Sequence, residues 1–452
     1  MTQQKNALAR ASTVPGPQSI ALFTAEQEFL SPGIQRIAQL ARMTMSHGAG
    51  ATLTDIDGNR YIDFYAGVTV ASLGHAHPEL VAALEAQIRK VIVGSFTTEN
   101  RAQLLELIAS LTPGDLTKTQ LYSGGAEAVE AAIRLAKSYT KKFEVVGFWG
   151  GFHGKTGRVM GLIGDESKQG WGPLPGGTHL VPYADCYRCP FNMRYPDCGM
   201  FCLDFMRQSI KKSTAGSIAA ILIEPIQGTA GNIVPPPEFL PGVKDIAQEV
   251  GALLIVDEII TGFGRTGKMF ASEHTGVMPD IMTIGKGMGG GFPVSGLVST
   301  PDITSASPFS KPSSSSSSYG GNPLAATAAL ATIQTIVRDQ LVEHTASVGA
   351  LMLDGLRGLQ EKYEFIGDVR GKGLLIGLDL VKDRDTKEEL SSQVTERIFQ
   401  EALKRGLLMM GYFPRVRLNP PLVITAEQVQ EGIDILDEVF QCIADEVDYR
   451  HV

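Results

Sequence analysis

Two short apolar runs between residues 252 and 286 constrain this chain most, because each is followed by a single charged residue. Ala252–Val256 is uninterrupted apolar sequence followed by Asp257, and Ile281–Ile284 runs through Gly285 into Lys286. Apolar runs of this length are typical of strands that helices cover on both faces. In open parallel sheets, ligands bind beyond the carboxyl ends of the strands, so both charges are expected to face one crevice.

An acid and an amine in one crevice suit pyridoxal phosphate (PLP). Asp257 would pair with the pyridine nitrogen, and Lys286 would form the imine with the cofactor. Each residue alone has a plainer interpretation, because an acid at a strand end often caps a turn and most lysines are solvated. The hypothesis therefore requires the other parts of such a site elsewhere in the chain.

The composition limits the class of protein. The chain has 452 residues, of which 43% are hydrophobic and 19% charged, as expected for a globular protein of two or three domains. Its formal net charge of -8 gives no basic face for nucleic acid or an anionic membrane. The N-terminus shows no apolar leader, and no apolar run is long enough to span a membrane, so we expect a cytoplasmic enzyme.

Four of the five cysteines fall in one short stretch, with the spacing C-x2-C-x8-C-x3-C. This spacing admits a structural zinc ion, labile disulfides or four reduced thiols. The residues concerned are Cys186, Cys189, Cys198 and Cys202. Any metal here would be structural, and no catalytic metal is expected.

A glycine pair between a strand and a helix is a candidate phosphate site. Lys118–Tyr122 is predicted as a strand, Ser123, Gly124 and Gly125 as a turn, and the residues from Ala126 onwards as an amphipathic helix. Glycines at this position let backbone N–H groups and a helix N-terminus approach a phosphate, although such a turn is also a common plain connection. The glycine motifs of dinucleotide and P-loop sites are missing, which disfavours nucleotides.

Two further strands end close to residues that could complete a site. Phe152 and His153 follow the apolar run that ends near Phe148, and Glu224 follows the run IAAILI. An aromatic residue at a strand end offers a flat face on which a ring can stack. A core phenylalanine, a hydrogen-bonded core histidine and an exposed glutamate are the plainer alternatives.

The remaining patterns predict the organisation of the chain. An Asp57-Gly58 pair between alternating segments predicts a hairpin, and a helix from Pro78 carries an apolar stripe that we expect in the core: Leu80, Leu84 and Ile88. Residues 301–318, rich in serine, are predicted as a flexible linker. Helices are also expected at 324–338, near 341–363 and near 388–405.

Together these motifs resemble the class III (ω-) aminotransferases, PLP enzymes of fold type I that include 4-aminobutyrate and ornithine aminotransferases. The resemblance covers residues 48–436 and includes GATLTDIDGNRYIDF, SGGAEAVE, GFHGKTG, EPIQG, VDEIITGFGRTG, PDIMTIGKGMGGGFP, YGGNPLA and RLNPPLVI. It implies an α/β fold with three parts: an N-terminal segment (1–65) packed with the small domain, a large PLP-binding domain (66–335) with a mostly parallel seven-stranded sheet, and a smaller α+β domain (336–452).

The resemblance also assigns roles around the cofactor. It makes Lys286 the Schiff-base lysine and Asp257 the partner of the pyridine nitrogen. Backbone N–H groups of Gly124 and Gly125 would bind the phosphate, helped by Ser123.

On the same basis, Phe152 would stack on one face of the ring and Ile259 on the other, with His153 close by. Ser318 matches a family threonine that reaches the phosphate of the neighbouring subunit, which implies a homodimer or dimer of dimers with shared active sites. Ile260 stands where the family often has a glutamine that bonds the phenolic oxygen of the cofactor.

The substrate residues follow from the same resemblance. Arg417 would hold the α-carboxylate, Glu224 would pair with that arginine when ω-amino substrates bind, and Val68 would line the pocket. Lys155 stands where 4-aminobutyrate aminotransferases carry an arginine. Because lysine lacks the bidentate fork of arginine, this difference disfavours 4-aminobutyrate as the native donor.

The implied activity is transfer of an amino group from an ω-amino acid or amine to 2-oxoglutarate or pyruvate by a ping-pong mechanism. Decarboxylation of the dialkylglycine decarboxylase type, or epimerisation of amino acids, would use the same acid and lysine and stays open. A PLP-binding regulator is a third alternative, but the sequence shows neither a helix-turn-helix nor a basic patch.

Overall fold

The computed structural model describes residues 13–452 and divides into two compact units. One comprises residues 78–346; the other comprises the described part of residues 1–77 together with residues 347–452. The sequence predicts boundaries after residues 65 and 335, whereas the units divide after residues 77 and 346. Residues 66–77 are tied to their own unit by the N–H of His75, which donates to the carbonyl of Gly50 (2.9 Å), and by the carbonyl of Ser72, which accepts from the N–H of Leu422 (2.8 Å).

Unit 78–346 is built on one sheet of seven strands. The strand Ser295–Ser299 is antiparallel to both of its neighbours, and the other six strands share one direction. This confirms the predicted mostly parallel seven-stranded sheet. Across the sheet, the strands are Lys118–Tyr122, Ser295–Ser299, Ile281–Ile284, Leu253–Asp257, Ile218–Ile223, Glu144–Phe148 and Thr178–Val181.

The apolar strands are explained by helices on both faces of this sheet. Along Leu253–Asp257, alternate side chains belong to two different apolar clusters, one containing residues of the helix Phe239–Glu249 and the other residues of the helix Gly125–Thr140. A strand covered in this way gains from apolar residues at every position. The carboxyl ends of the parallel strands lie along one edge of the sheet, and the functional side chains described below follow them.

The helices predicted from Pro78 and at 324–338 are present, as is the start of the one near 341–363, with one difference in burial. Leu80 in the helix Pro78–Ile88 is buried, but Ile88 is 62% exposed, so the expectation that the whole stripe lies in the core is wrong. The remaining helical segments are Glu99–Leu111, Gly157–Met160, Glu166–Lys168, Phe201–Ser213, Ala271–His274, Lys286–Gly289, Pro301–Thr304, Pro323–Arg338 and the start of Leu341–Lys362.

The serine-rich segment 301–318 is not a flexible linker. It lies wholly inside one unit, contains the helix Pro301–Thr304, and buries the side chain of Ser315. The hydroxyl of Tyr122 donates to the Ser315 carbonyl at 2.8 Å, which anchors the segment to the end of a sheet strand. The serine-rich composition predicted a flexible segment because composition alone does not reveal such a hydrogen-bond partner.

The second unit contains two small sheets, in which most neighbouring strands are antiparallel, and five further helices. The hairpin at Asp57-Gly58 is confirmed, with Asp55 accepting hydrogen bonds from the N–H groups of Asp57 and Asn59. The strands are Met45–Ala49, Thr52–Asp55, Arg60–Asp63 and Leu407–Leu408 in one sheet, and Ile366–Lys372, Leu375–Leu380 and Arg415–Leu418 in the other. The helices are Pro17–Gln27, Arg36–Ala41, Ala66–Thr69, Ser392–Lys404 and Ala426–Glu446, besides most of Leu341–Lys362. Within residues 13–452, no helix combines the length and apolar character needed to cross a membrane.

Candidate active site

A cavity of about 200 Å³ lies at the carboxyl edge of the large sheet. It brings together seven residues that the sequence singles out for the site: Gly125, Phe152, His153, Glu224, Asp257, Ile259 and Lys286. Three more residues complete the wall: Ala126, Gly154 and Ile260. Residues from five different strand ends therefore converge on one hollow, although they are far apart in the sequence.

Asp257 presents a buried and firmly held carboxylate to this cavity. It is the last residue of the strand Leu253–Asp257 and is 5% exposed. One carboxylate oxygen lies 2.7 Å from Nδ1 of His153; the other accepts from the hydroxyl of Thr283 (2.9 Å) and the N–H of Ile259 (3.1 Å). Such bonds orient the carboxylate and satisfy it inside the protein.

His153 is buried against this carboxylate. Burial disfavours its charged form, but the hydrogen bond and charge of Asp257, with the charge of Glu224, outweigh burial and raise the pKa of the imidazole above its usual value. When the ring is charged, both nitrogens carry a proton, and Nδ1 donates its proton to the Asp257 carboxylate. The pair therefore forms a charge-assisted contact, the stronger class of hydrogen bond.

Glu224 is a second buried carboxyl group in the cavity wall. Its oxygens accept from the N–H of Phe152 (2.9 Å) and the N–H of Gly228 (3.0 Å). Burial raises its pKa, the charge of His153 opposes that rise, and Asp257 adds to it. The group is thus held in place by backbone donors while its charge is disfavoured by its surroundings.

Lys286 enters the cavity from an unusual backbone conformation. It follows the strand Ile281–Ile284 and begins the short helix Lys286–Gly289 with φ of 44°. A residue with a side chain in this region costs of order 1–3 kcal/mol and is found mostly at functional sites. The turn sets the lysine in the wall that also contains Asp257.

At the glycine turn, one of the three residues that the resemblance assigns, Gly125, lines the cavity. The N–H groups of Ser123 and Gly124 donate to a carboxylate oxygen of Glu127 (3.2 and 2.9 Å), and neither residue lines the cavity. Gly125 and Ala126, at the start of the helix, do line it. The glutamate three residues after the helix cap is the sequence signal for this arrangement.

Four other predicted residues are not part of this cavity. Lys155 and Ser318 are exposed residues of the same unit. Val68 and Arg417 belong to the other unit. Val68 lies in the left-handed turn Ala66–Thr69, and Arg417 lies in the strand Arg415–Leu418. Burial raises the pKa of Tyr412, and the charge of Arg417 opposes this rise. Thr283 and Gly154 were not predicted, because strand register and backbone angles are not visible in the sequence.

The wall residues fit PLP. A buried acceptor and an amine lie in one cavity, and Phe152 and Ile259 supply apolar surface for a ring. At Gly125, a β-carbon would stand only 3.1 Å from a terminal carbon of Ile259, so glycine leaves backbone N–H groups accessible at the helix N-terminus. Fold and site together define an enzyme of the PLP-dependent fold type I class.

Comparison with known proteins identifies the family. Residues 35–440 match the model of the class III aminotransferases. The leucine/methionine racemase of Thermococcus litoralis is 37% identical, with 86% of this chain and 88% of the relative covered. The acetylornithine aminotransferase of Methanothermobacter thermautotrophicus is 35% identical, with 88% of this chain and 93% of the relative covered. The chain belongs to the class III aminotransferase family, as predicted.

A solved structure supports the same conclusion. An amine transaminase from an uncultivated Pseudomonas species, determined in its PLP-bound form, superposes with a TM-score of 0.86 at 30% identity. The match covers 92% of this chain and 98% of that chain. The chain is therefore a PLP-dependent enzyme of this family, and the prediction of its cofactor is confirmed.

Proposed function

We propose that this enzyme transfers an amino group from an ω-amino acid or amine to 2-oxoglutarate or pyruvate in two half-reactions. The observation that carries the proposal is the cavity whose wall contains Asp257, Lys286, Phe152 and Ile259. Transamination requires a carboxylate that pairs with the pyridine nitrogen of PLP and a lysine amine that forms the imine with the cofactor.

PLP, when bound, supplies an electron sink that stabilises negative charge on the carbon next to the amino nitrogen. Asp257 would hold the pyridine nitrogen in its protonated form, because its carboxylate is buried and fixed by three donors: His153, Thr283 and Ile259. His153 would position this carboxylate. Lys286 would remove the proton from the amino-bearing carbon as a general base and return a proton as a general acid.

The phosphate would lie at the N-terminus of the helix Gly125–Thr140, held by N–H groups of Gly125 and Ala126. The N–H groups of Ser123 and Gly124 would join them once the carboxylate of Glu127, itself an anion, moves away. Ser318 would reach the phosphate of a neighbouring subunit.

The proposed substrate residues are those that the family resemblance assigns. Arg417 would bind the carboxylate of the acceptor and of an α-amino acid, and Glu224 would pair with that arginine when the donor has no such carboxylate. Val68 would line the pocket, and Lys155 would give only a point charge near its rim. In the second half-reaction the oxo acid collects the nitrogen, which predicts ping-pong kinetics.

We propose that the enzyme is a cytoplasmic homodimer or dimer of dimers. The support is a run of exposed apolar side chains after the helix Pro78–Ile88: Val91, Ile92, Val93 and Phe96, each between 49% and 76% exposed. The run lies next to the turn that follows Ser318, since a β-carbon on Gly94 would stand 3.3 Å from Asn322. A second copy that covers this run would bring Ser318 close to the shared site. Sedimentation measurements that compare the oligomeric state of the wild type with that of Phe96→Asp test this proposal.

The experiment that tests the activity is a half-reaction screen. The holoenzyme is mixed with 4-aminobutyrate, 5-aminovalerate, ornithine, β-alanine, aromatic amines or 2-aminoisobutyrate, and the visible absorption of the cofactor is followed. We expect loss of the absorption with at least one ω-amino compound and its return when 2-oxoglutarate or pyruvate is added. No return with either oxo acid would contradict transamination.

A second candidate function is racemisation, because one of the close relatives is a leucine/methionine racemase at 37% identity. Lys286 would then return the proton to the same carbon, and no oxo acid would be needed. Incorporation of solvent deuterium into L-leucine with loss of optical activity, in the absence of an acceptor, would favour this candidate. Release of CO2 from 2-aminoisobutyrate would instead favour decarboxylation.

A further inference from the structure

The connection between the strand Thr178–Val181 and the helix Phe201–Ser213 is long and irregular. Residues 182–200 contain neither helix nor strand. Connections of this length without secondary structure are uncommon inside compact domains and need their own source of order. Three of the five cysteines of the chain lie in this segment, and a fourth, Cys202, lies just after it. The segment contains none of the residues assigned above to PLP or substrate.

All four of these cysteines line one small cavity: Cys186, Cys189, Cys198 and Cys202. Its volume is about 20 Å³, close to the space that one bound water or ion occupies. Aromatic and methionine side chains form most of the remaining wall, including Phe191, whose ring centroid lies 5.0 Å from that of Phe201. The cavity is therefore rich in sulfur and otherwise mainly apolar.

The cysteines fall in two sequence-local pairs. Around the first pair, the N–H of Arg188 donates to the Asp185 carboxylate (3.1 Å), across Cys186, and the N–H of Asn192 donates to the Cys189 carbonyl (3.0 Å). The second pair runs from Cys198, whose carbonyl accepts from the N–H of Phe201 at 3.1 Å, to Cys202 in the first turn of the helix Phe201–Ser213. Two cysteine pairs with spacings of two to four residues, brought to one cavity, are a usual framework of a zinc site with four thiolate ligands.

We propose that Cys186, Cys189, Cys198 and Cys202 bind one structural zinc ion. As the side chains stand, no three metal-ligating groups within residues 13–452 converge closely enough to hold an ion. Binding therefore requires rotation of thiols that already face one cavity, and Cys186, the exposed member, gives access from solvent. The four S–H bonds break, four Zn–S bonds form, and four protons pass to solvent. Soft sulfur ligands in tetrahedral arrangement select zinc over harder cations.

The test is the metal content of the purified holoenzyme, produced without a histidine tag and exchanged into metal-free buffer. We expect about one zinc ion per chain in the wild type and in the control Cys442→Ser, and less than about 0.1 in Cys189→Ser and Cys198→Ser. A wild type that retains less than about 0.1 ion per chain after incubation with zinc overturns the proposal. Mass spectrometry that finds disulfides among the four cysteines also overturns it.

A second measurement does not depend on variants that fold. Titration of the wild type with a mercurial thiol reagent should release zinc to a chromogenic chelator as the four thiols react, while the visible absorption of bound PLP stays unchanged. Reaction of all four thiols without any zinc release contradicts the proposal. Because neither readout is catalytic turnover, failure of this site and failure of the proposed transamination are distinguishable.

Discussion

Nδ1 of His153 lies 2.7 Å from a carboxylate oxygen of Asp257, and both side chains are buried in the wall of the active-site cavity. The two residues are 104 positions apart in the sequence. The contact joins the ends of two strands and keeps the carboxylate in one orientation. Asp257 can therefore act as a fixed partner for a ring nitrogen instead of a mobile surface acid.

Replacing His153 should weaken catalysis without removing it. His153→Gln loses a charge-assisted hydrogen bond, which contributes roughly 1.5–3 kcal/mol, so we expect the half-reaction rate to fall by about 10- to 100-fold. Because the imidazole acts through Asp257, the pH at which the cofactor absorption titrates should also shift. His47→Gln, at an exposed position, is the control. Unchanged rate and unchanged titration in His153→Gln would contradict the positioning role.

Gly154 should be required for cofactor affinity. It has φ of 119°, and a β-carbon there would stand 2.4 Å from the β-carbon of Ala126, which lines the cavity at the helix N-terminus. Relief of such a clash costs roughly 1–3 kcal/mol, so Gly154→Ala should bind PLP about 10-fold more weakly or worse. Gly157→Ala, where the structure has open space, should bind PLP normally. Titration of the two apoenzymes with PLP makes the comparison, and equal affinities would refute it.

Glu144 should make stability depend on acid pH. It lies at the start of the strand Glu144–Phe148; burial disfavours its charge, but the N–H groups of Ala215 and Ser217 and the ring of His179 outweigh burial and lower its pKa. A lowered pKa adds stability that is present above the unfolded-state value of 4.5 and is lost as pH falls through the folded-state value.

The variant Glu144→Gln should therefore unfold about 2 °C or more below the wild type at pH 7. The difference should shrink as the pH falls below about 4.5. Glu106→Gln, at an exposed helical position, should differ little from the wild type at either pH. Scanning calorimetry measures all three proteins, and a difference that grows on acidification would show that the sign is wrong.

The ends of buried strands are the part of this chain that its sequence predicts best. Ile281–Ile284 begins and ends at the predicted residues, because a buried run bounded by turn residues has few alternatives in a covered sheet. The charged residue after such a run is also predictable as a site residue. Asp257 and Lys286 meet in one cavity for this reason.

What covers or contacts a residue is much less predictable. Periodicity shows that Ile88 lies on an apolar face, but it does not show that this unit leaves the face exposed. Thr283 becomes a partner of Asp257 only through the register of two parallel strands. At the glycine turn, the side chain of Glu127 accepts from the N–H of Gly124, a contact whose sequence signal is the spacing of a capping box and which the phosphate prediction did not use.

The central claim is that Lys286 moves the proton in a cavity where Asp257 holds the cofactor. The most direct test is a single-turnover half-reaction of Lys286→Ala, with PLP added and with the exposed Lys268→Ala as control. General acid–base catalysis contributes roughly 10²–10⁴-fold, so we expect a loss of at least about 10²-fold in Lys286→Ala and near wild-type rates in Lys268→Ala. A Lys286→Ala enzyme that binds PLP and keeps more than about a tenth of the wild-type rate would contradict the account.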